Sequence, residues 1–220
     1  MAAELKLIEP TQNVTLIHSR EDLLSSEPLP PDFKERVLIT LQQAGVNVIL
    51  NDRVINVNPT VSTDGTLTSR LTLKDGTRMT TSHVIWAISR SIPTSSYLPP
   101  SALDAEGYIK VESTMNIAPD NPNSRDHYAV GDIASWSGIR RCGGAMHMGH
   151  VAAVNIHQQL LSKEIGCMPK FTEIPPFPDM IALAVGNEAV VYSPADGTAS
   201  GEDQMKLFFG DDLGRTSIPC

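Results

Sequence analysis

The sequence predicts an α/β fold built on a parallel sheet, from three observations. Residues 14–50 read strand, helix, strand, the βαβ unit whose strands run parallel and buried. Residues 54–80 read as short strands broken by Asp64-Gly65 and Asp75-Gly76, an antiparallel meander carried on that core. Residues 127–158 run from a short apolar strand through Gly131-Asp132 and a glycine-flanked loop into a long Ala-rich helix. In a doubly wound fold this places a carboxylate at a strand's carboxyl end near a helix N-terminus, a site suited to a large anionic cofactor.

Residues 3–8 read as the end of a helix, closed by Glu9-Pro10. Val14 to His18 is β-branched and aliphatic, a strand. Three prolines between Ser25 and Pro31 mark a loop. Asp32 is suited to cap a helix from Phe33 to Ala44 that stops at Gly45, with Phe33, Val37, Leu38 and Leu41 on its buried face. Val46 to Leu50 is the second parallel strand. Val54 to Val57, Thr66 to Leu73 and Arg78 to Thr80 form the meander, and His83 to Ile88 reads as one more buried strand. Ser89 to Pro100, rich in Ser and Pro, is a linker. Ile109 to Val111 and Tyr128 to Val130 are short strands, and Ala145 to Leu161 is the long helix. Beyond the Pro-rich run Ile174 to Pro178 come strands at Met180 to Val185 and Ala189 to Tyr192. A polar turn over Pro194 to Asp203 then leads to Lys206 to Phe209.

The 220 residues are 41% hydrophobic, enough for a core, and the net charge of -8 argues against a dedicated nucleic-acid binder. No apolar run reaches bilayer length, and no N-terminal stretch has the pattern of a secretory signal. Cys142, Cys167 and Cys220 form neither a CxxC pair nor a metal knuckle, and read as unpaired thiols of a reducing compartment. His147 and His150 lie three apart without further ligands nearby, so no metal is expected.

Several pieces, in order, carry a family resemblance. They are Val14 to Leu24, Leu29 to Lys34, Leu41 to Leu50, His83 to Ser89, Leu103 to Val111, and His127 to Ala134. The set resembles the FAD-dependent pyridine nucleotide-disulfide oxidoreductase superfamily. Within it, the likeness is to apoptosis-inducing-factor-like (AMID-type) NAD(P)H oxidoreductases, relatives of type II NADH:quinone dehydrogenases. The resemblance implies an incomplete flavoprotein with two dinucleotide-binding, Rossmann-like domains. Residues 1–90 would be a partial NAD(P)-binding domain, 91–165 the returning part of the FAD-binding domain, and 166–220 the start of an α+β C-terminal domain. The N-terminal flavin half and the glycine loop of the nicotinamide domain would be missing, leaving the isolated chain weak or inactive and marginally stable.

The resemblance also implies a chemistry. FAD would contact Gly131, Asp132, Ala145, Met146 and His147, with the Asp132 carboxylate on a ribityl hydroxyl and the helix N-terminus facing the flavin ring. NAD(P)H would contact His18, Ser19, Arg20, Ile88 and Ser89. His18 stands where an acidic residue binds the ribose diol of NAD, and Arg20 leans toward the 2′-phosphate of NADPH; a solvated loop arginine fits equally, so both nucleotides stay open. Ser89 stands near a position where the family often has glycine. No general base is needed, because hydride passes directly from nicotinamide to flavin. The expected acceptor is a small molecule of quinone type, with no nucleic-acid partner. Membrane association is left to the full-length protein, and the compartment is cytoplasmic or mitochondrial. A disulfide reductase would need a cysteine pair that the sequence does not offer. The alternative is a non-catalytic remnant or partner-binding domain of the same fold.

Overall fold

The computed structural model describes residues 1–61, 63–88, 92–118, 120 and 123–210. These form two compact units, Met1–Ile88 with the segment from Ile181 onward, and Ser89–Met180.

The first unit opens with helix α1 (Ala2–Ile8), strand β1 (Thr15–Ile17), helix α2 (Pro31–Gln43) and strand β2 (Asn47–Ile49). β1 and β2 pair in parallel, Leu16 opposite Val48, completing the βαβ unit that the hydrophobic pattern requires. α2 begins earlier than Asp32 suggests. Pro30 is its N-cap and Pro31 its first residue, where a missing N–H costs nothing. Asp32 lies inside the first turn, beside the positive end of the helix. The buried face holds Phe33, Val37, Thr40 and Leu41, with Leu38 only half-buried. Thr40 is tolerated there because its hydroxyl donates to the Arg36 carbonyl at 2.9 Å. Phe33 is fully buried, worth about 1.5–3 kcal/mol of transfer free energy.

The meander comprises β3 (Val54–Val61), β4 (Leu67–Leu73) and β5 (Arg78–Thr81), with β4 in the middle. Buried Asp52 ties the start of β3 to the end of β4, accepting from the Arg53 and Lys74 amides at 2.7 and 2.9 Å. The expected strand His83 to Ile88 does not form: the segment is in no ladder, and Ile85, Trp86 and Ile88 are exposed. Apolar composition suits a strand, but backbone N–H and C=O groups need a flanking strand to pair with.

From Ile181 a second antiparallel sheet, β8 (Ile181–Val185), β9 (Glu188–Ser193) and β10 (Gly197–Gly201), is followed by helix α4 (Glu202–Phe209). Tyr192 of β9 meets Phe33 edge-on, with ring centroids 6.3 Å apart. The stretch from Pro194 to Asp203, expected as one polar turn, contains β10. An edge strand needs only ladder bonds to β9, and the turn proper shrinks to the residues around Asp196, whose carboxylate accepts from the Ser193 hydroxyl at 2.8 Å.

The second unit is organised on helix α3 (Cys142–Ile165), which buries Met148, Val151, Ala152 and Asn155 against Met115 and Ile174. The helix starts one turn before Ala145. Gly143 and Gly144 are in the helix because its first turn needs no side-chain bulk, and the Phe177 ring lies against Gly144. The expected strand Tyr128 to Val130 is reduced to a single bridge from Tyr128 to Asn116. The parallel pair here is instead β6 (Ile109–Lys110) with β7 (Ala134–Ser135).

Asp104 holds β7 in place. Its carboxylate accepts from the Ser135 hydroxyl at 2.6 Å and from the Tyr108 and Glu106 amides at 2.8 and 3.0 Å. The Ser135 hydrogen bond first, then the backbone amides, hold this carboxyl below its ordinary range. A depressed carboxylate pKa stabilises the fold above the unfolded value, about 3.9, and that contribution is lost as pH falls through the folded value. Ser135→Ala is therefore expected to lower stability at neutral pH, where the contribution is fully present, and to flatten the acid limb below about pH 4, where parent and variant converge. Urea unfolding at stepped pH measures this, and identical acid limbs would count against it.

Candidate functional site

The site sits where three pieces of the second unit meet. Gly131–Ile133 forms a single 3-10 turn that leads into β7. Gly131 has φ +77°, a conformation costly for a side chain, and a Cβ there would lie 3.6 Å from the Ala145 Cβ. The turn therefore lies close against the first turns of α3. Its position is fixed by the Gly131 amide, which donates to the Met148 sulfur at 3.4 Å.

The first intrahelical bond of α3 runs from the Ala145 amide to the Arg141 carbonyl at 3.1 Å. The amides of Cys142, Gly143 and Gly144 thus precede the ladder and form the positive end of a 24-residue helix. Arg141 is the N-cap without a side-chain cap bond, and the Arg140 guanidinium lies 3.9 Å over the Tyr108 ring. Arg140, Arg141 and Gly144, together with Asp132, Trp136 and Phe177, line a shallow cleft.

Phe177 closes one side of it. The Pro-rich segment 174–178 is anchored by the Phe177 amide donating to the Ser137 hydroxyl at 2.7 Å and by the Ile174 amide donating to the Ser113 carbonyl at 2.8 Å. Gly138, at φ +80°, allows the approach: a Cβ there would lie 2.8 Å from the Phe177 Cβ.

Of the expected flavin contacts, Gly131, Asp132 and Ala145 come together in this cleft. Met146 and His147 are exposed on α3; Met146 takes a sulfur contact from Cys142 at 3.6 Å, and the His147 ring lies 6.0 Å from that of Phe177. Met148 faces the cleft instead, which the helical spacing from Ala145 makes legible. Trp136, Arg140 and Phe177 are additions from the structure. Phe177 arrives from a distant loop, and nothing in the local pattern signals it.

Of the expected nicotinamide contacts, His18, Ser19 and Arg20 follow the carboxyl end of β1. The His18 amide donates to the Ile49 carbonyl at 2.8 Å, its ring nitrogen Nε2 is buried without a partner, and Ser19 and Arg20 are exposed. Ile88 is 78% exposed and in no helix or ladder, and Ser89 lies outside the described residues. Cys142 and Cys167 are free thiols. No group of three His, Cys, Asp or Glu side chains among the described residues is placed to hold a metal ion. No helix among them is long and apolar enough to cross a membrane.

Comparison with known proteins matches this architecture. The model of the pyridine nucleotide-disulphide oxidoreductase family covers residues 1–149. The chain is 49% identical over 215 residues to oxidoreductase OXR1 of Ajellomyces capsulatus, covering 97% of this chain and 46% of that protein. It is 30% identical over 158 residues to ferroptosis suppressor protein 1 of Mus musculus, covering 71% of this chain and 41% of that one. The chain thus spans a little under half the length of these curated relatives. Among solved structures, a FAD-dependent pyridine nucleotide-disulphide oxidoreductase from Desulfovibrio vulgaris superposes with a TM-score of 0.62 at 15% identity, over 86% of this chain and 44% of that one. That superposition shows the shared α/β fold. With the family model spanning both the βαβ unit and the Gly131-Asp132 turn, the chain belongs to the pyridine nucleotide-disulphide oxidoreductase family.

Proposed function

We propose that this chain carries part of a FAD-dependent NAD(P)H oxidoreductase that passes electrons to a quinone-type acceptor. The observation that carries the reading is the cleft where the Gly131-Asp132 turn meets the N-terminus of α3. Its residues fit the flavin. The turn has no side chain at Gly131, amides and two arginines supply positive potential, and Asp132 offers a carboxylate for a hydroxyl.

When bound, FAD supplies the acceptor for nicotinamide hydride and the donor of electrons to the quinone. The chain's own residues bind and orient. Asp132 accepts from a polyol hydroxyl. The amides opening α3, with Arg140 and Arg141, favour the negative charge that accumulates on reduction. The residue blocks 1–90, 91–165 and 166–220 correspond in this reading to the nicotinamide, flavin and C-terminal domains. Turnover by the 220-residue chain alone is expected to be slow or absent. The resemblance to quinone-reducing flavoproteins supports the acceptor class.

His18, Ser19 and Arg20 are assigned to the adenosine ribose of NAD(P)H, with Arg20 favouring a 2′-phosphate. Arg20→Glu is expected to weaken NADPH binding roughly ten-fold and leave NADH nearly unchanged. Calorimetric titration with both nucleotides measures it, and equal losses for the two would refute the assignment. The function itself is tested by oxidation of NADH and NADPH in the presence of added FAD and a short-chain quinone. Slow, strictly FAD-dependent oxidation supports it; FAD that neither binds nor stimulates oxidation contradicts it.

One observation favours a second reading, a partner-binding domain without catalysis. Ile85, Trp86 and Ile88 form an exposed apolar run outside any helix or ladder, suited to strand addition by another protein. Absence of flavin binding together with self-association or partner capture through this run would favour it.

A further inference from the structure

Two arginines line the cleft, and the fold treats them differently. The Arg141 guanidinium donates to the Arg140 carbonyl at 2.6 Å, so it is turned back on its own loop. The Arg140 guanidinium lies 3.9 Å over the Tyr108 ring. Tyr108 comes from a different segment. It precedes β6, and the parallel register of Ile109 with Ala134 sets it level with the Gly131–Ile133 turn. The fold thus brings an aromatic ring from one segment against a cation from another, at a residue that lines the cleft.

An aromatic face attracts a guanidinium through its quadrupole and supplies no oxygen acceptor. Arg140 therefore keeps its planar fork of N–H donors, whose geometry suits anionic oxygens. Among the described residues no hydrogen bond or ion pair engages that fork, and none joins it to Asp132 in the same cleft. Asp104, in the turn before β6, is committed to the Ser135 hydroxyl and to the Tyr108 and Glu106 amides. Ordering a long exposed arginine on binding costs side-chain entropy, and a ring that already holds it reduces that cost.

We propose that Tyr108 is a positioning residue: its ring holds the Arg140 guanidinium at the cleft, pre-set to donate to an electron-rich oxygen of the bound cofactor. This rests on the reading that the cleft takes flavin, and adds the residue that orients one of its cations.

The test titrates the full chain with FAD, by flavin fluorescence at low salt. Tyr108→Leu should weaken FAD binding about five-fold, and Arg140→Gln about ten-fold. Tyr108→Phe keeps the ring and should stay within about two-fold of the parent. In the Arg140→Gln background, Tyr108→Leu should cost nothing further, because the ring acts through the arginine. Riboflavin, which has no phosphates, distinguishes the source of the oxygen: a loss confined to FAD assigns it to a phosphate, a loss shared by riboflavin to the ring. A loss that persists in the Arg140→Gln background overturns the proposal, because it marks a packing role for Tyr108. Equal FAD affinity in Tyr108→Leu and the parent overturns it as well. A flavin-free readout separates these failures from that of the cofactor reading. The Arg140 side-chain proton resonances, assigned by their loss in Arg140→Gln, should carry an upfield ring-current shift that Tyr108→Leu abolishes. If that shift is present and the parent binds no FAD, the cofactor reading has failed and the named ligand falls with it. If the shift is missing in the parent, the positioning itself is wrong.

Discussion

Asn155→Ala is expected to destabilise the second unit by about 3 kcal/mol or more, the largest stability effect of any single substitution considered for this chain. Asn155 is fully buried in the middle of α3. Its amide nitrogen donates to the Thr114 and Thr172 carbonyls at 3.0 and 2.8 Å, and its oxygen accepts from the Thr172 amide at 2.7 Å. Truncation removes three hydrogen bonds, each worth about 0.5–1.5 kcal/mol net, and leaves a void where a fully buried side chain stood. Asn155→Asp keeps the shape but turns a donor into a charge facing two carbonyls, so it is expected to be no better. The Thr172 contacts also anchor the segment that delivers Phe177 to the cleft. Limited proteolysis between residues 166 and 180 should therefore accelerate alongside the fall in urea midpoint. A loss under about 1 kcal/mol would show that the amide triad contributes only the net value of one ordinary hydrogen bond.

The second large effect concerns binding rather than stability. Asp132 is exposed at the centre of the turn, so Asp132→Ala is expected to leave the unfolding midpoint within about 0.5 kcal/mol of the parent. Its affinity for FAD should drop on the order of 10- to 100-fold, the value of a charge-assisted hydrogen bond. Gly131→Val separates the two contributions. A β-branched residue at φ +77° is strained, and its side chain would press toward Ala145, so both stability and FAD affinity should fall. Flavin fluorescence titration reads the affinity, and thermal unfolding the stability. Equal FAD affinity in the parent and Asp132→Ala would remove the carboxylate from the site.

The βαβ unit and the meander were legible because their signals are local. β1, α2 and β2 follow from β-branched runs around an amphipathic helix, and the meander from two Asp-Gly turns. Gly131-Asp132 and the helix after it were legible for the same reason. What was not legible depends on partners distant in sequence. His83 to Ile88 has the composition of a buried strand, yet no described strand pairs with it. β10 is polar and forms because β9 offers an edge. The first turn of α3 looks like a glycine loop until Phe177 packs on it from more than thirty residues away. Met148 shares the cleft with Ala145 by helical phase, the residue three further on lying on the same face, while Met146 and His147 are exposed on α3.

Whether the cleft at the Gly131-Asp132 turn takes FAD can be read from an absorbance spectrum. The chain would be incubated with FAD, passed through a desalting column, and examined before and after anaerobic addition of NADPH or NADH. A retained flavin band is expected in the parent, however slowly it bleaches, and its loss in Asp132→Ala. A colourless parent protein, with a melting temperature that FAD does not raise, would contradict it.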